Sequence, residues 1–478
     1  MHRNRIYCVT VALLTAICCA HAQDANYWNS SYCAGGFTTP GAVIAYNKDS
    51  GMLFYNPALL AWSHKSTATI NATLYQFESI NLKNGVGTGY SLHSKGASVI
   101  PQMISGVVSF KHAGFAYALL REPSMSFQAT QRKDVQQNVL NDSYSPGTEY
   151  YIGQVALQNS TVNTTALMAA GFEITPSLSA GFSLAAQLRK QTYDLDITSR
   201  ALVNAPDSIY PPISSSEESY LLSYLNVGLQ LKGGLAYNNG RHHLGLTVGL
   251  PQVQIGGRGT LLSDFEVNNI RDELDINFNL LANTRQTSLH NKYKTPLSIG
   301  LGYAFDYSSS GQIYLAAEYF ARVKEYNVVT PRNDTYIRPD TGGFDETTSA
   351  LLKFKDIHRA VFNLAAGISF NFTPAVQGYC SFRTDFTYAD DKHFKDENGM
   401  VANLSNWSQY HLQLGANFRK RKFNLRPGLL FTYGSTHNFM QPINFDNPNE
   451  QNFLQGDPHT VKATRFATGL MLSYVHNL

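Results

Sequence analysis

Groups that could do chemistry are few in this chain, and their spacing does not suit it. Gly256-Gly257-Arg258-Gly259 is glycine-rich but lacks the lysine and the strand-to-helix setting of a phosphate-cradling loop. Close packing at the end of a sheet accounts for it better. Gly181-Phe182-Ser183-Leu184-Ala185 departs, at its last position, from the glycine pattern that seats a nucleophilic serine on a sharp turn. A serine–histidine–acid triad is assembled in space, and nothing here selects residues for one. His242 and His243 are adjacent, so in a strand they point to opposite faces and do not share a metal. Asp390-Asp391 with Glu397, and Asp340 with Asp345, carry oxygens of the kind that bind divalent cations, although solvated loops explain them equally well. The expectation is a protein that is not an enzyme and uses no cofactor or metal.

The polar residues do follow a different rule. Tyr410, Leu412, Leu414, Ala416 and Phe418 alternate with His411, Gln413, Gly415 and Asn417. After the basic turn Arg419 to Lys422, Phe423, Leu425, Pro427, Leu429, Phe431 and Tyr433 share a second apolar phase. A period of two marks a strand with unlike faces. Fourteen such strands are expected: Ser66–Ile80, six pairs, and Val461–Leu478. The pairs are Ile104–Phe110 with Gly114–Phe127, Thr165–Ile174 with Ser177–Thr192, Leu222–Tyr237 with His242–Thr260, Pro296–Tyr307 with Gln312–Tyr326, Arg359–Phe372 with Ala375–Tyr388, and Trp407–Arg419 with Lys422–Tyr433. Turns within pairs are short. Links between pairs, roughly 81–103, 128–164, 193–221, 261–295, 327–358, 389–406 and 434–460, are long and polar. Strict short–long alternation is the habit of outer-membrane barrels, whereas a sandwich gives no reason for one end to own every long loop.

Composition agrees. Charged residues are 15% of the 478 and aromatics 12%, and after the leader no apolar run reaches the length of a spanning helix. A barrel escapes that test because only alternate residues meet lipid. Arg3, Arg5, the apolar run Val9 to Cys19 and Ala20-His21-Ala22 read as a signal peptide, residues 1–22. Its removal takes two basic residues and lowers the formal net charge from +3 to +1, which is no nucleic-acid footprint. Cys33 and Cys380 remain; they lie in the N-terminal segment and on a lipid-facing phase, so no bridge between them is expected.

The domain plan is therefore leader, a compact segment over 23–63, and an all-β, 14-stranded antiparallel transmembrane barrel over 64–478. The segment is rich in breakers yet holds Val43, Ile44, Leu53, Phe54, Leu59, Leu60 and Trp62, enough apolar surface to argue against disorder. It can fold inward as a hatch. Asn226, Gln230, Lys232, Glu318, Asn363, Gln413, Asn417 and Arg426 take the inward phase and could satisfy its backbone; a plain wet lumen would use the same residues. In the third strand Arg121-Glu122-Pro123 interrupts the pattern. Proline cannot donate to a ladder, so either the wall breaks there and opens sideways, or the strand has already left the membrane. Arg121 falls on the lipid-facing phase of Tyr117 and Leu119, which a bulge would correct.

The stretch from Gly35-Gly36 through Asp49-Ser50 to Asn56-Pro57-Ala58-Leu59-Leu60-Ala61 resembles the N-terminal hatch of the FadL/OmpP1/TodX family of outer-membrane transporters. Tyr293-Lys294-Thr295-Pro296-Leu297 is a weaker echo. The opening Cys33-Ala34-Gly35-Gly36 departs from the cleaner glycine run of several members, and the residues that bind ligand do not carry over by motif. The resemblance implies passive uptake of a hydrophobic small molecule, such as a long-chain fatty acid, across a bacterial outer membrane. It also implies that the hatch shifts, that ligand leaves at the kinked third strand, and that Asp49 and Asn56 hold the hatch closed. The surroundings would be outer-membrane lipid and lipopolysaccharide, with no nucleic acid, and a monomer is expected. A general porin for polar solutes, or a secretion-associated or structural barrel, is the alternative.

Overall fold

The structure, a computed structural model, describes residues 25–28, 44–46, 51–63, 65–121, 126–205, 209–271, 277–338, 348–390, 400–401 and 405–478. In chain order its strands are β1 (Thr67–Leu82), β2 (Leu92–Ser109), β3 (Ala113–Arg121), β4 (Ser126–Gln137), β5 (Glu149–Thr175), β6 (Leu178–Leu202), β7 (Ile213–Asn239), β8 (His242–Gly249), β9 (Val253–Arg271), β10 (Asn277–Leu289), β11 (Ser298–Ser308) and β12 (Gly311–Phe320). There follow β13 (Val323–Val329), β14 (Ile337–Arg338), β15 (Phe354–His358), β16 (Val361–Thr373), β17 (Val376–Asp385), β18 (Met400–Val401), β19 (Ser408–Arg419), β20 (Phe423–Met440), β21 (Asn444–Asn449), β22 (Gln455–Gly456) and β23 (Thr460–Asn477).

Fourteen antiparallel staves close a ring. β1 pairs with β2, β2 with β3, β3 with β5, and so on through β6, β7, β8, β11, β12, β16, β17, β19 and β20 to β23. β23 returns to β1, from Thr67↔Asn477 to Leu82↔Ala463, which closes the ring. β4 continues the stave of β3, and β9 that of β8, because each keeps the same partner, β5 or β7. Each of the fourteen expected strands coincides with one of these staves, but β2, β5 and β7 begin 12, 16 and 9 residues earlier than expected.

The two faces differ as the alternation requires. Along β3, Phe115, Tyr117 and Leu119 are exposed outward while Ala116, Ala118 and Leu120 are buried inward. Met168, Leu184, Leu235, Leu301, Leu315, Leu364, Leu412 and Leu470 continue the outward apolar belt around the ring. At the short turns Gly240 has φ +63, the left-handed conformation that glycine adopts without steric cost.

The long links are where the expectation was incomplete. Much of 128–164, 193–221 and 261–295 is strand: β5 and β7 are 27 residues each and β6 is 25. A 27-residue strand runs roughly 90 Å at about 3.3 Å per residue, far more than a bilayer needs. Above the belt the outward positions of β6 are Lys190, Thr192, Asp194, Asp196, Thr198 and Arg200, which read as loop. The inward positions Tyr193, Leu195 and Ile197 join a large apolar core with Leu157, Tyr220, Leu222, Val329, Phe354 and Phe445.

Candidate functional site

Three pieces of the N-terminal segment lie against the inward face of the wall. Met52–Tyr55 forms one helical turn and Pro57–Trp62 a 3-10 helix. Leu53, Leu59 and Leu60 are fully buried against Met103, Val107, Ala116, Ala118, Leu120, Leu167 and Ala236. Burial of each leucine contributes about 1.5–3 kcal/mol. Asn56 joins the pieces. Its Oδ1 accepts from Ala58 N (3.1 Å), capping the helix, and its Nδ2 donates to Ile44 O (2.7 Å) and to Leu235 O on β7 (3.0 Å). Pro57 at the helix start has no N–H to satisfy. The wall accommodates this backbone with glycine: Gly171 and Gly181 meet Pro57, Gly114 meets Leu60, and Gly245 and Gly302 meet Ile44 and Ala45, leaving no room for a Cβ.

Ala25–Trp28 is held by polar groups. Asp385 Oδ1 accepts from the backbone N–H of Tyr27 (3.1 Å) and Trp28 (2.9 Å) and from Asn363 Nδ2 (3.2 Å). Trp28 Nε1 donates to Glu318 Oε2 at 2.7 Å, and Gln409 Nε2 to Asn26 Oδ1 at 2.9 Å. The Tyr27 ring stacks between Phe320 and Tyr388, centroids 4.2 and 4.6 Å away, and its hydroxyl is 2.8 Å from His358 Nδ1. His358 Nε2 lies 2.9 Å from Asp356 Oδ2, which also accepts from the Tyr326 hydroxyl at 3.0 Å. Burial alone would raise the Asp356 carboxyl, but His358 and the Tyr326 hydroxyl together hold it below the usual carboxylate range.

The residues marked in the sequence fall into three groups. Lys232 Nζ donates to Phe54 O (3.2 Å), Glu318 receives Trp28, and Asn363 supports Asp385, so these three touch or brace the inner segment. Asn226, Gln230 and Gln413 face inward but bond Gln252, Gln187 with Leu250 O, and Arg383, all wall or rim groups. Asn417 and Arg426 are buried on the inward face. Of the expected hatch residues Asn56, Pro57 and Ala58 are as described; Gly35, Gly36, Asp49 and Ser50 lie outside the described residues, as do Glu122 and Pro123. Asp385, His358 and Arg189 were missed. The signal for Asp385 was present: with Arg383 it occupies the phase opposite Phe382 and Phe386, too charged for a bland lumen wall.

Arg189 on β6 is 4% exposed. Its Nε donates to the Tyr224 hydroxyl (3.1 Å), its Nη1 to Asn163 Oδ1 (3.0 Å), and its guanidinium lies 4.2 Å from the Tyr293 ring centre. Nη2 is buried with no hydrogen-bond partner, and although no carboxylate lies within ion-pair distance among the described residues, the guanidinium helps to hold the Asp356 carboxyl low. Above it the inward side of β6 passes through Gln191 to Tyr193, Leu195 and Ile197. The arrangement sets a buried cation, flanked by Tyr224 and Tyr293, beneath packed apolar side chains.

Arg121, the last residue of β3, pairs with Thr164, and Ser126, the first of β4, with Ser160; residues 122–125 lie outside the described residues. The β2–β3 ladder stops at Met103↔Leu120. Between β2 and β4 the described contacts are side-chain bridges: Ser94 Oγ to Ser126 O (3.3 Å), Gln128 N to Ser94 Oγ (3.1 Å) and Gln131 Nε2 to Ser91 O (3.0 Å). Arg121 ends β3 half-buried on the outward phase.

No family model matches the chain, and no curated protein does. Solved structures do. A Pseudomonas aeruginosa FadL homologue is 13% identical, with a TM-score of 0.56 over 96% of this chain and 99% of that one. The Pseudomonas putida toluene transporter TodX is 10% identical, with a TM-score of 0.53 over 93% and 98%. The Ralstonia pickettii toluene transporter TbuX is 11% identical, with a TM-score of 0.51 over 92% and 98%. At these identities the shared property is the fold, a FadL-like barrel over nearly the whole chain.

Proposed function

We propose that the protein is a bacterial outer-membrane channel for passive uptake of hydrophobic compounds, and that its ligands are amphiphiles of the long-chain fatty acid kind. The FadL-like fold and the apolar outward belt support the membrane setting. The observation that carries the ligand class is Arg189, a buried guanidinium with an unmet N–H at the foot of an apolar column. A carboxylate there gains charge-assisted hydrogen bonds, and each buried CH₂ of its chain contributes about 0.8 kcal/mol. No nucleotide or resident cofactor is required for such a downhill path.

The inner segment 23–63 acts as the hatch. Its described part Pro57–Trp62 packs on β3, so displacing it uncovers the neighbouring region where β2 and β4 are bridged by side chains. Exit there delivers the ligand to lipid without crossing the polar lower lumen. Arg189→Leu tests the ligand class. Dodecanoate binding should weaken at least 10-fold, because a charge-assisted hydrogen bond contributes about 1.5–3 kcal/mol, while the methyl ester binds as before. Equal losses for acid and ester would overturn the assignment.

A further inference from the structure

We propose that the segment from Gln441 to His459 is a strap that gates the outer mouth, with Phe445 as its latch. The inference rests on the uptake reading above, because a ligand entering from outside must first pass this segment. Lys133, Gly153 and Ser199 stand side by side on β4, β5 and β6, all buried on the inward face and ten residues above Arg189. That is roughly 33 Å along β6 at about 3.3 Å per residue. Phe445 is fully buried against this row. A Cβ on Gly153 would stand 2.6 Å from its ring, so the glycine makes the socket. Lys133 Nζ donates to the Phe445 carbonyl at 2.9 Å. One row further out, the Tyr151 hydroxyl donates to Leu454 O at 2.9 Å, and Leu454 is fully buried too. Ile443, Phe445 and Leu454 thereby complete the apolar core at its outer end.

The same segment is built to lift as a unit. Its ends are joined, with Gln441 N donating to His459 O (3.1 Å) and His459 N to Gln441 Oε1 (3.0 Å). β21 and β22 pair with each other in a sheet of two strands, apart from the barrel. Among the described residues, the backbone–backbone bond that ties it to the rest of the protein is Phe445 N to Val86 O (2.9 Å). Its other ties run through side chains. Asp446 accepts from Lys133 Nζ (2.8 Å) and Thr88 N (2.6 Å), and Glu450 from Asn141 N (2.9 Å) and Arg271 N (3.1 Å). The backbone is also strained: the consecutive residues Phe453 and Leu454 have φ +49 and +60, a left-handed conformation that bulky side chains resist. Such strain persists only while the surroundings impose it, and it gathers at switch segments. Here the Tyr151 bond to Leu454 and the Phe453 ring, edge-on to Phe265 at 5.7 Å, impose it. Lifting the strap relaxes both residues, and a ligand's apolar tail over Gly153 replaces the Phe445 ring in the socket.

Access to the core beneath the latch tests this without a ligand. A bulky hydrophilic maleimide is added to the purified full-length protein carrying Val155→Cys, one inward position below Gly153, and labelling at that position is followed by peptide mass spectrometry. Labelling should be slow on its own and roughly 10-fold faster or more once Phe445→Ala or Gly153→Val is added. The first removes the latch ring; the second fills its socket with a residue that suits a strand. The two variants attack one contact from opposite sides, so if one fails to fold the other still decides. Dodecanoate association measured by stopped flow should accelerate by a similar factor, with any preference for acid over methyl ester kept. Labelling unchanged by either variant overturns the strap, and faster labelling with unchanged association overturns its place on the ligand's path. Failure of the wild type to bind dodecanoate would instead remove the ligand class proposed above, while the labelling rates still report whether the strap opens.

Discussion

Asp385→Ala is the sharpest test of how the N-terminal segment is held. In the folded protein one carboxylate oxygen receives the backbone N–H groups of Tyr27 and Trp28 at 3.1 and 2.9 Å. A hydrogen bond to a charged group contributes about 1.5–3 kcal/mol, so removing both weakens docking by about 3–6 kcal/mol before water refills the space. At the lower figure, with about 1.4 kcal/mol for each factor of ten, the undocked population rises on the order of 100-fold. Hydrogen exchange at the Tyr27 and Trp28 amides reads this directly, because exchange requires the segment to leave the site. The expected result is loss of protection at those two amides, with the β19 and β20 ladders unchanged. Asp385→Asn keeps an acceptor of the same shape without the charge and should fall between. Unaltered protection in the alanine variant would refute the claim that Asp385 anchors the segment, and with it the hatch geometry built on Ala25–Trp28.

Asn56→Ala removes a helix cap, typically about 1 kcal/mol, together with donors to Ile44 O and Leu235 O; planar-bilayer conductance should rise while the barrel's heat resistance is kept, and unchanged conductance would count against its latch role. Pro123→Val restores a ladder donor at the third stave, so dodecanoate uptake should slow; an unaltered rate would remove the lateral exit. At the outer mouth Lys133 Nζ donates to Asp446 Oδ1 at 2.8 Å and to Phe445 O at 2.9 Å, pinning the β21 segment. Burial alone would raise the Asp446 carboxyl, but Lys133 and Thr88 hold it below its ordinary value. A depressed carboxylate pKa gives stabilisation that is complete above about pH 4, the unfolded value, and is lost as pH falls through the folded one. Protease cleavage within 444–456 should therefore stay constant from pH 7 to 5 and rise below about pH 4, and Lys133→Met should reduce the dependence, leaving the part that Thr88 supports.

How far the sequence reached depended on how much of the information was local. Strand alternation is local: Leu412 and Gln413 point opposite ways in any strand, so the belt, the turns and the number of staves could be read off the chain. The single chemical run that carried tertiary meaning, Asn56-Pro57-Ala58, was legible because a cap and a helix-starting proline are neighbours in sequence. Strands above the membrane were hidden because Lys190, Asp194 and Asp196 on their outer side look like loop, while the inner side packs on residues hundreds of positions away. Asp385 and Tyr27 are 358 apart and Trp28 and Glu318 are 290 apart; no periodicity joins such pairs. Arg189 shows the limit most clearly. Its type and phase were visible, but its unmet N–H beside Tyr224 and Tyr293 exists only once three neighbouring strands and the loop that carries Tyr293 are brought together. Pattern decides which side of the wall a residue occupies, since that depends on its immediate neighbours, whereas its partner across the lumen depends on ring closure, which only the folded chain supplies.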